Sequence, residues 1–168
     1  MFERCSALAH VAGDARMGES RGWSLLQVAA FAGTHSELRL LLRVDLPTRV
    51  GDVVHANGRQ WLKTGAEQYW IIFREGDEFA PAIPAHMGAV TSLSHSRTCI
   101  FVEGEGAAAL LAKSVPLDFH SEQFRVDQFA LTGLHHTPVL IHRRAVSRFE
   151  IYALRTYAQS VWEWLAHT

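Results

Sequence analysis

Apolar positions recur along this chain with two periods, and the switches between them outline its elements. Residues 1–22 hold no sustained period and read as an N-terminal arm, mobile or clasping a partner. A strand follows at about Leu25–Ala32. Gly33-Thr34-His35-Ser36-Glu37 then offers a helix start, with Thr34 and Glu37 spaced for a reciprocal capping box. Leu38, Leu41 and Leu42 continue on one face and Arg39 and Arg43 on another. Pro47 sets the limit, because its ring disfavours helical geometry in the residue before it. Asp52–Ala56 and Arg59–Lys63 flank Asn57-Gly58, the pair that best tolerates the positive φ angles of a type I′ turn, so this stretch predicts a hairpin. Gln68–Phe73 is a third strand. Residues 75–86, with acidic residues, Gly76, Pro81 and Pro84, form a connector.

The order then repeats. Ala89–Glu103 is extended, with Thr98–Val102 its apolar strand; Gly104–Val115 is an Ala/Leu-rich helix closed by Pro116. Phe124–Leu134, Pro138–His142 and Arg148–Leu154 are strands, and a last helix covers about Thr156–Ala166. Val28-x-x-Phe31-x-Gly33 aligns with Cys99-x-x-Val102-x-Gly104, and Trp70-Ile71-Ile72 with Phe149-Glu150-Ile151. These positions predict an α+β fold: a duplicated strand-helix-strand-strand-strand unit. Its strands form one or two mostly antiparallel sheets with helices packed on one face. Residues 23–168 then make a single domain of two similar halves, about 23–74 and 87–168, joined by the connector at 75–86.

Composition narrows the function. With 168 residues, 48% of them hydrophobic, the chain can build one sizeable core. Sixteen basic and seventeen acidic residues leave a formal charge of −1 with no basic run, which argues against nucleic acid as a partner. No apolar stretch approaches the roughly 18–20 residues that span a bilayer, and Met1–Ser20 lacks the apolar block of a signal peptide. Two cysteines, Cys5 and Cys99, make no disulfide framework, so a reducing cytoplasm is expected.

Candidate chemistry is sparse. Of ten histidines, the densest set is His135, His136 and His142, but neighbours on a strand point to opposite faces and no C-x-x-C or H-x-x-x-H spacing accompanies them. Ser94-His95-Ser96 places a hydroxyl beside an imidazole without the nucleophile elbow that would expose it, and reads as a strand entry. Cys99, in an apolar strand, reads as core. Gly104-Glu105-Gly106 lacks the third glycine of a dinucleotide fingerprint and puts a carboxylate where a pyrophosphate would lie, so it reads as helix initiation. No catalytic, cofactor-binding or metal residue is therefore assigned. In the last helix Tyr157, Ala158, Val161, Trp162, Trp164 and Leu165 span an arc of about 160°, wider than the roughly 100° one core contact requires. Tyr157, Trp162 and Trp164 are accordingly candidate subunit-interface residues, with one tryptophan expected in the core and the other at a contact.

A family resemblance runs through the same elements. Ser92-Leu93-Ser94-His95-Ser96-Arg97, Gly104 with Ala107 and Leu110-Leu111, Leu117-Asp118, Leu131-Thr132, Arg155-Thr156-Tyr157-Ala158 and Trp162-Glu163-Trp164-Leu165 occur in that order. The series resembles the gamma subunit of heterotetrameric sarcosine oxidase. That family runs D-L-S-H-x-R, G-x-x-A with L-L, L-D, a strand with Thr, R-S-F-A and W-x-W-L. Leu46-Pro47 and Leu62–Ile72 extend the likeness into the first half, for coverage of about residues 25–166. Ser92 stands where the family has an acidic residue, and Thr156-Tyr157 where it has Ser-Phe, which leaves the N-methyl substrate open.

The resemblance implies a fold similar to the folate-binding domain of aminomethyltransferases. It also implies an accessory, non-catalytic subunit of an oxidoreductase that acts on CH–NH donors with oxygen as acceptor. Such a complex demethylates sarcosine to glycine, coupled to tetrahydrofolate. The partners it implies are alpha, beta and delta subunits, which would carry FAD, FMN, NAD, tetrahydrofolate and zinc. The alternative is a free-standing folate-binding or aminomethyltransferase-like protein.

Overall fold

The computed structural model describes residues 6–8 and 16–168. Two compact units emerge: Gly22–Ser94, here the first unit, and Met1–Arg21 with His95–Thr168, the second. Each is built on a five-stranded antiparallel sheet.

In the first unit the elements run β2 (Trp23–Ala30), α1 (His35–Leu42), β3 (Val53–Ala56), β4 (Arg59–Gly65), β5 (Gln68–Arg74) and β6 (Gly88–Ser92), with sheet order β3-β4-β5-β2-β6. The β3–β4 hairpin turns at Asn57 (φ 54°) and Gly58 (φ 72°), the two left-handed positions a type I′ turn demands. Val28, Trp61, Tyr69, Ile71 and Phe73 line one side of the sheet and form a core with Leu38 of α1, Val44 and Leu46. Tyr69–Phe73 is buried at five consecutive positions, so β5 is covered on both faces.

The second unit runs β1 (Met17–Glu19), β7 (Arg97–Glu103), α2 (Ala107–Ala112), β8 (Phe129–Leu134), β9 (Thr137–Ala145), β10 (Arg148–Leu154), a 3₁₀ turn at Arg155–Tyr157 and α3 (Ala158–His167). Its sheet order is β1-β7-β10-β9-β8. Read from the opposite edge, the first sheet has the same order, β6-β2-β5-β4-β3. The expected duplication in an α+β fold is therefore present, as two separate sheets. Each half takes its fifth strand from outside its own strand-helix-strand-strand-strand run.

The helix α1 ends before Pro47 as expected, at Leu42, where Arg43 turns left-handed (φ 51°) and Val44 and Leu46 pass into the core. Three local expectations change. Met17–Glu19, inside the segment read as an arm, is an edge strand paired to β7, with Met17 opposite Val102. The capping box does not form: the Thr34 hydroxyl shares its proton between the carbonyls of Phe31 (2.7 Å) and Met87 (2.8 Å), and α1 has no side-chain cap. Finally, the predicted extended run 89–103 breaks at Ser94, whose Oγ accepts from Leu25 N (2.9 Å); β6 and β7 then belong to different sheets.

The strand pairing also corrects the repeat alignment. Val28 lies opposite Tyr69 and Val102 opposite Phe149, so Val28 corresponds to Val102 rather than Cys99, and Tyr69 rather than Trp70 corresponds to Phe149. Glycine misled the alignment: Gly33 lies five residues after Val28, Gly104 two after Val102, because the link into α1 is longer.

Candidate subunit interface

The closing helix follows directly from β10, and its apolar spacing decides which face it buries. Ala158, Val161, Trp162 and Leu165, at i, i+3, i+4 and i+7, sit on the core of the second unit beside Ile100, Leu111, Ile141 and Ile151. Trp162 is 3% exposed. Trp164 lies at the rim, half-buried, with its ring 4.8 Å from that of His135. Tyr157, in the 3₁₀ turn, is 45% exposed, with Leu154 exposed just before it and Leu131 exposed on β8. The helix end is tied down: Lys113 Nζ donates to Thr168 O (2.9 Å), and the Ser114 and Thr168 hydroxyls are 3.0 Å apart. Of the three candidate interface residues, Trp162 is thus core, Trp164 is half-buried at the edge of that core and Tyr157 is exposed.

The other candidate residues are used structurally. His135 and His136 form the two-residue turn between β8 and β9, with His135 left-handed at φ 50°. His142 is fully buried on β9 with Nε2 3.8 Å from Asp127 Oδ1, and the three histidines do not converge. Among the described residues no group of three or more His, Cys, Asp or Glu could hold a metal ion. Ser94 Oγ braces the backbone of Leu25, and Ser96 O accepts the Arg155 amide (3.0 Å), so the Ser-His-Ser run fastens strand ends. Burial pushes the Cys99 thiol well above its usual range, with Glu150 adding to the effect, so no reactive thiolate forms there. Burial likewise pushes Tyr152 up. Gly104 (φ 113°) turns the chain into a six-residue α2, in keeping with helix initiation. Cys5 lies outside the described residues.

One cluster escaped the sequence reading. On the helix-facing side of the first sheet, Lys63 Nζ donates to Tyr69 Oη (3.0 Å), which lies 2.8 Å from His35 Nδ1 at the start of α1. The signal was available: in Trp61-Leu62-Lys63, strand alternation places Lys63 on the face of the buried Trp61. In the second unit the matching position is Arg143. Its Nη1 donates to Phe119 O (3.1 Å) and Phe124 O (2.6 Å), its Nη2 to Val146 O (2.6 Å), and the guanidinium lies over the Phe149 ring.

No family model matches the chain. The sarcosine oxidase subunit gamma of Corynebacterium sp. (strain U-96) is 28% identical to it over 168 residues, covering 97% of this chain and 78% of that protein. The heterotetrameric sarcosine oxidase from Corynebacterium sp. U-96, solved in complex with pyrrole 2-carboxylate, contains a chain that superposes with a TM-score of 0.80 at 26% identity, over 96% of this chain and 92% of that one. This chain is thus similar to the sarcosine oxidase gamma subunit in sequence and in fold. The glycine cleavage system aminomethyltransferase T from Bartonella henselae shares the fold, with a TM-score of 0.68 at 17% identity over 95% of this chain and 47% of that one. The α+β class expected from the repeat, and the aminomethyltransferase-like fold that the family resemblance implied, are therefore the fold observed. No helix among the described residues is long and apolar enough to cross a membrane.

Proposed function

We propose that this chain is the accessory gamma subunit of a heterotetrameric sarcosine oxidase and shapes that assembly without contributing catalytic residues. The observation that carries this reading is likeness over nearly all of this chain to a chain of such a tetramer, in sequence and in fold together. The assembly demethylates sarcosine oxidatively to glycine and couples the one-carbon product to tetrahydrofolate. Alpha, beta and delta subunits are the partners, and they hold FAD, FMN, NAD, tetrahydrofolate and zinc in the cytoplasm. The exposed Tyr157 and the half-buried Trp164 are the proposed contact residues. Aromatic anchors of this kind favour interfaces because they bury a large area at low conformational cost.

The test is co-expression of the tagged chain with the alpha, beta and delta subunits. A stoichiometric complex with flavin absorbance is expected, while the chain alone is colourless. If the three partners assemble without it and it purifies alone, the reading is wrong. The shared fold with aminomethyltransferase T favours one rival, a free-standing folate-binding or aminomethyltransferase-like protein. Micromolar binding of tetrahydrofolate to the isolated chain, about −8 kcal/mol, would support that rival instead.

A further inference from the structure

The two units place a cation at the same point of the same scaffold. Lys63 pairs with Tyr69 at the β-bulge of β4–β5, and Arg143 pairs with Phe149 at the β-bulge of β9–β10. Both are buried, Lys63 at 9% exposure and Arg143 at 4%. Arg143 spends both terminal nitrogens on three backbone carbonyls. Lys63 has no such set. An ammonium carries three N–H donors, and the protein takes one of them, with a neutral hydroxyl. Among the described residues no carboxylate pairs with it.

A buried charge left without a counter-charge is costly. Water can accept the two remaining hydrogens, and the Tyr69 ring, its centroid 4.9 Å from Nζ, offsets the charge only in part; an oxyanion supplies both acceptors and a counter-charge. The surroundings lean the same way. Tyr69 Oη links Lys63 to His35, whose ring stacks on that of Tyr69 and whose Nε2 has no protein partner among the described residues. His35 opens α1, whose first turn has no side-chain cap because Thr34 bonds elsewhere, so the electropositive end of the helix borders the cluster. Glu37, the acidic residue of that turn, is exposed.

We propose that Lys63, Tyr69 and His35 form a binding site for a small oxyanion, a carboxylate or a phosphate, held by the Lys63 ammonium and reported by the His35 ring. The inference does not rest on the proposed function: it concerns the first unit alone and needs no partner subunit.

The test is titration of the full-length chain with sodium acetate and, separately, inorganic phosphate at fixed ionic strength, followed by calorimetry and by the NMR resonances of the His35 ring. Saturable binding of one anion with movement of the His35 signals is expected, and which anion binds identifies the ligand class. Lys63→Met keeps an apolar stem and removes the charge; it should weaken binding about tenfold or more, the share of one charge-assisted hydrogen bond. Lys63→Arg should retain binding. Should Lys63→Met fail to fold by circular dichroism, Tyr69→Phe, which keeps the ammonium but cuts the link to His35, must leave the His35 signals still on anion addition. Absence of saturable binding of either anion overturns the proposal. So does unchanged affinity in a folded Lys63→Met protein, or His35 movement that survives Tyr69→Phe.

Discussion

In the first unit the strand pair at the β-bulge is Lys63 and Tyr69; in the second it is Arg143 and Phe149. Both cations face the helix side of their sheet. The second unit closes around its cation: the loop between α2 and β8 brings the carbonyls of Phe119 and Phe124 to the guanidinium, and the rings of Phe119, Phe124 and Phe149 pack together. The planar, five-donor guanidinium suits that task, since it holds several carbonyls at fixed angles. Among the described residues the first unit brings no backbone carbonyl to its lysine ammonium; its corresponding link, from Arg43 to Asp52, sends Val44 and Leu46 into the core. One duplicated framework therefore carries a structural staple in one copy and an incompletely satisfied ammonium in the other.

The largest expected effects probe how far the second unit depends on its closed core. Trp162→Ala should cost about 3–5 kcal/mol of folding stability, read by urea denaturation. Trp164→Ala should leave folding nearly intact and weaken assembly with partner subunits by about 2 kcal/mol. Equal destabilisation by both would place the contact away from α3. Next comes the comparison of cations. Arg143→Met orphans the buried carbonyls of Phe119 and Phe124 and should cost about 3 kcal/mol, whereas Lys63→Met, which removes an ammonium with one hydrogen bond, should cost less than about 1 kcal/mol. Similar losses would mean that Lys63 is a staple too.

Cys99 provides a reporter specific to one unit. In a Cys5→Ser background its thiol should resist Ellman's reagent in the native state, since burial holds it protonated. Arg143→Met should speed labelling and Lys63→Met should not. If both speed it equally, the two units do not open independently.

The smallest effect concerns Glu19, which fastens the edge strand of the second unit. Burial alone would raise its carboxyl. The hydrogen bond from Ser6 and the pairing with Arg21 (3.0 Å) outweigh that and hold it below the ordinary value of 4.5. The unfolded chain therefore takes up the proton first. The contribution of Glu19 is complete above its ordinary value and is lost as pH falls through the lower folded one. Glu19→Gln should flatten the acid limb of the stability–pH curve by a small amount; an unchanged limb would show that Glu19 does not couple to folding.

Much of this molecule could be read from local pattern. Asn57-Gly58 fixed the hairpin because few residue pairs accept two left-handed positions in succession. Helical period placed Ala158, Val161, Trp162 and Leu165 within one apolar arc of α3, though the same arc held Trp164 and left the two tryptophans undecided. The family likeness was legible for a similar reason: its motifs lie at strand entries and helix starts, where local geometry restricts the residues allowed.

What local pattern could not supply was pairing. Residues 89–103 read as one extended stretch ending in the apolar Thr98–Val102, and local pattern does not say that the chain changes sheets near Ser94, whose hydroxyl bonds the backbone of Leu25, sixty-nine residues earlier. Met17–Glu19 is too short to announce itself and becomes a strand only because the open edge of β7 accepts it. The Lys63–Tyr69–His35 cluster joins residues from β4, β5 and α1, so its chemistry exists only once strand register and helix docking have brought them together. The sequence by itself determined the elements, their order, the duplication and the family likeness, because each depends on contacts within a turn or a strand. Only the tertiary structure decided which edges pair, which tryptophan is buried and which cation the backbone carbonyls hold, because those outcomes depend on partners distant in the chain.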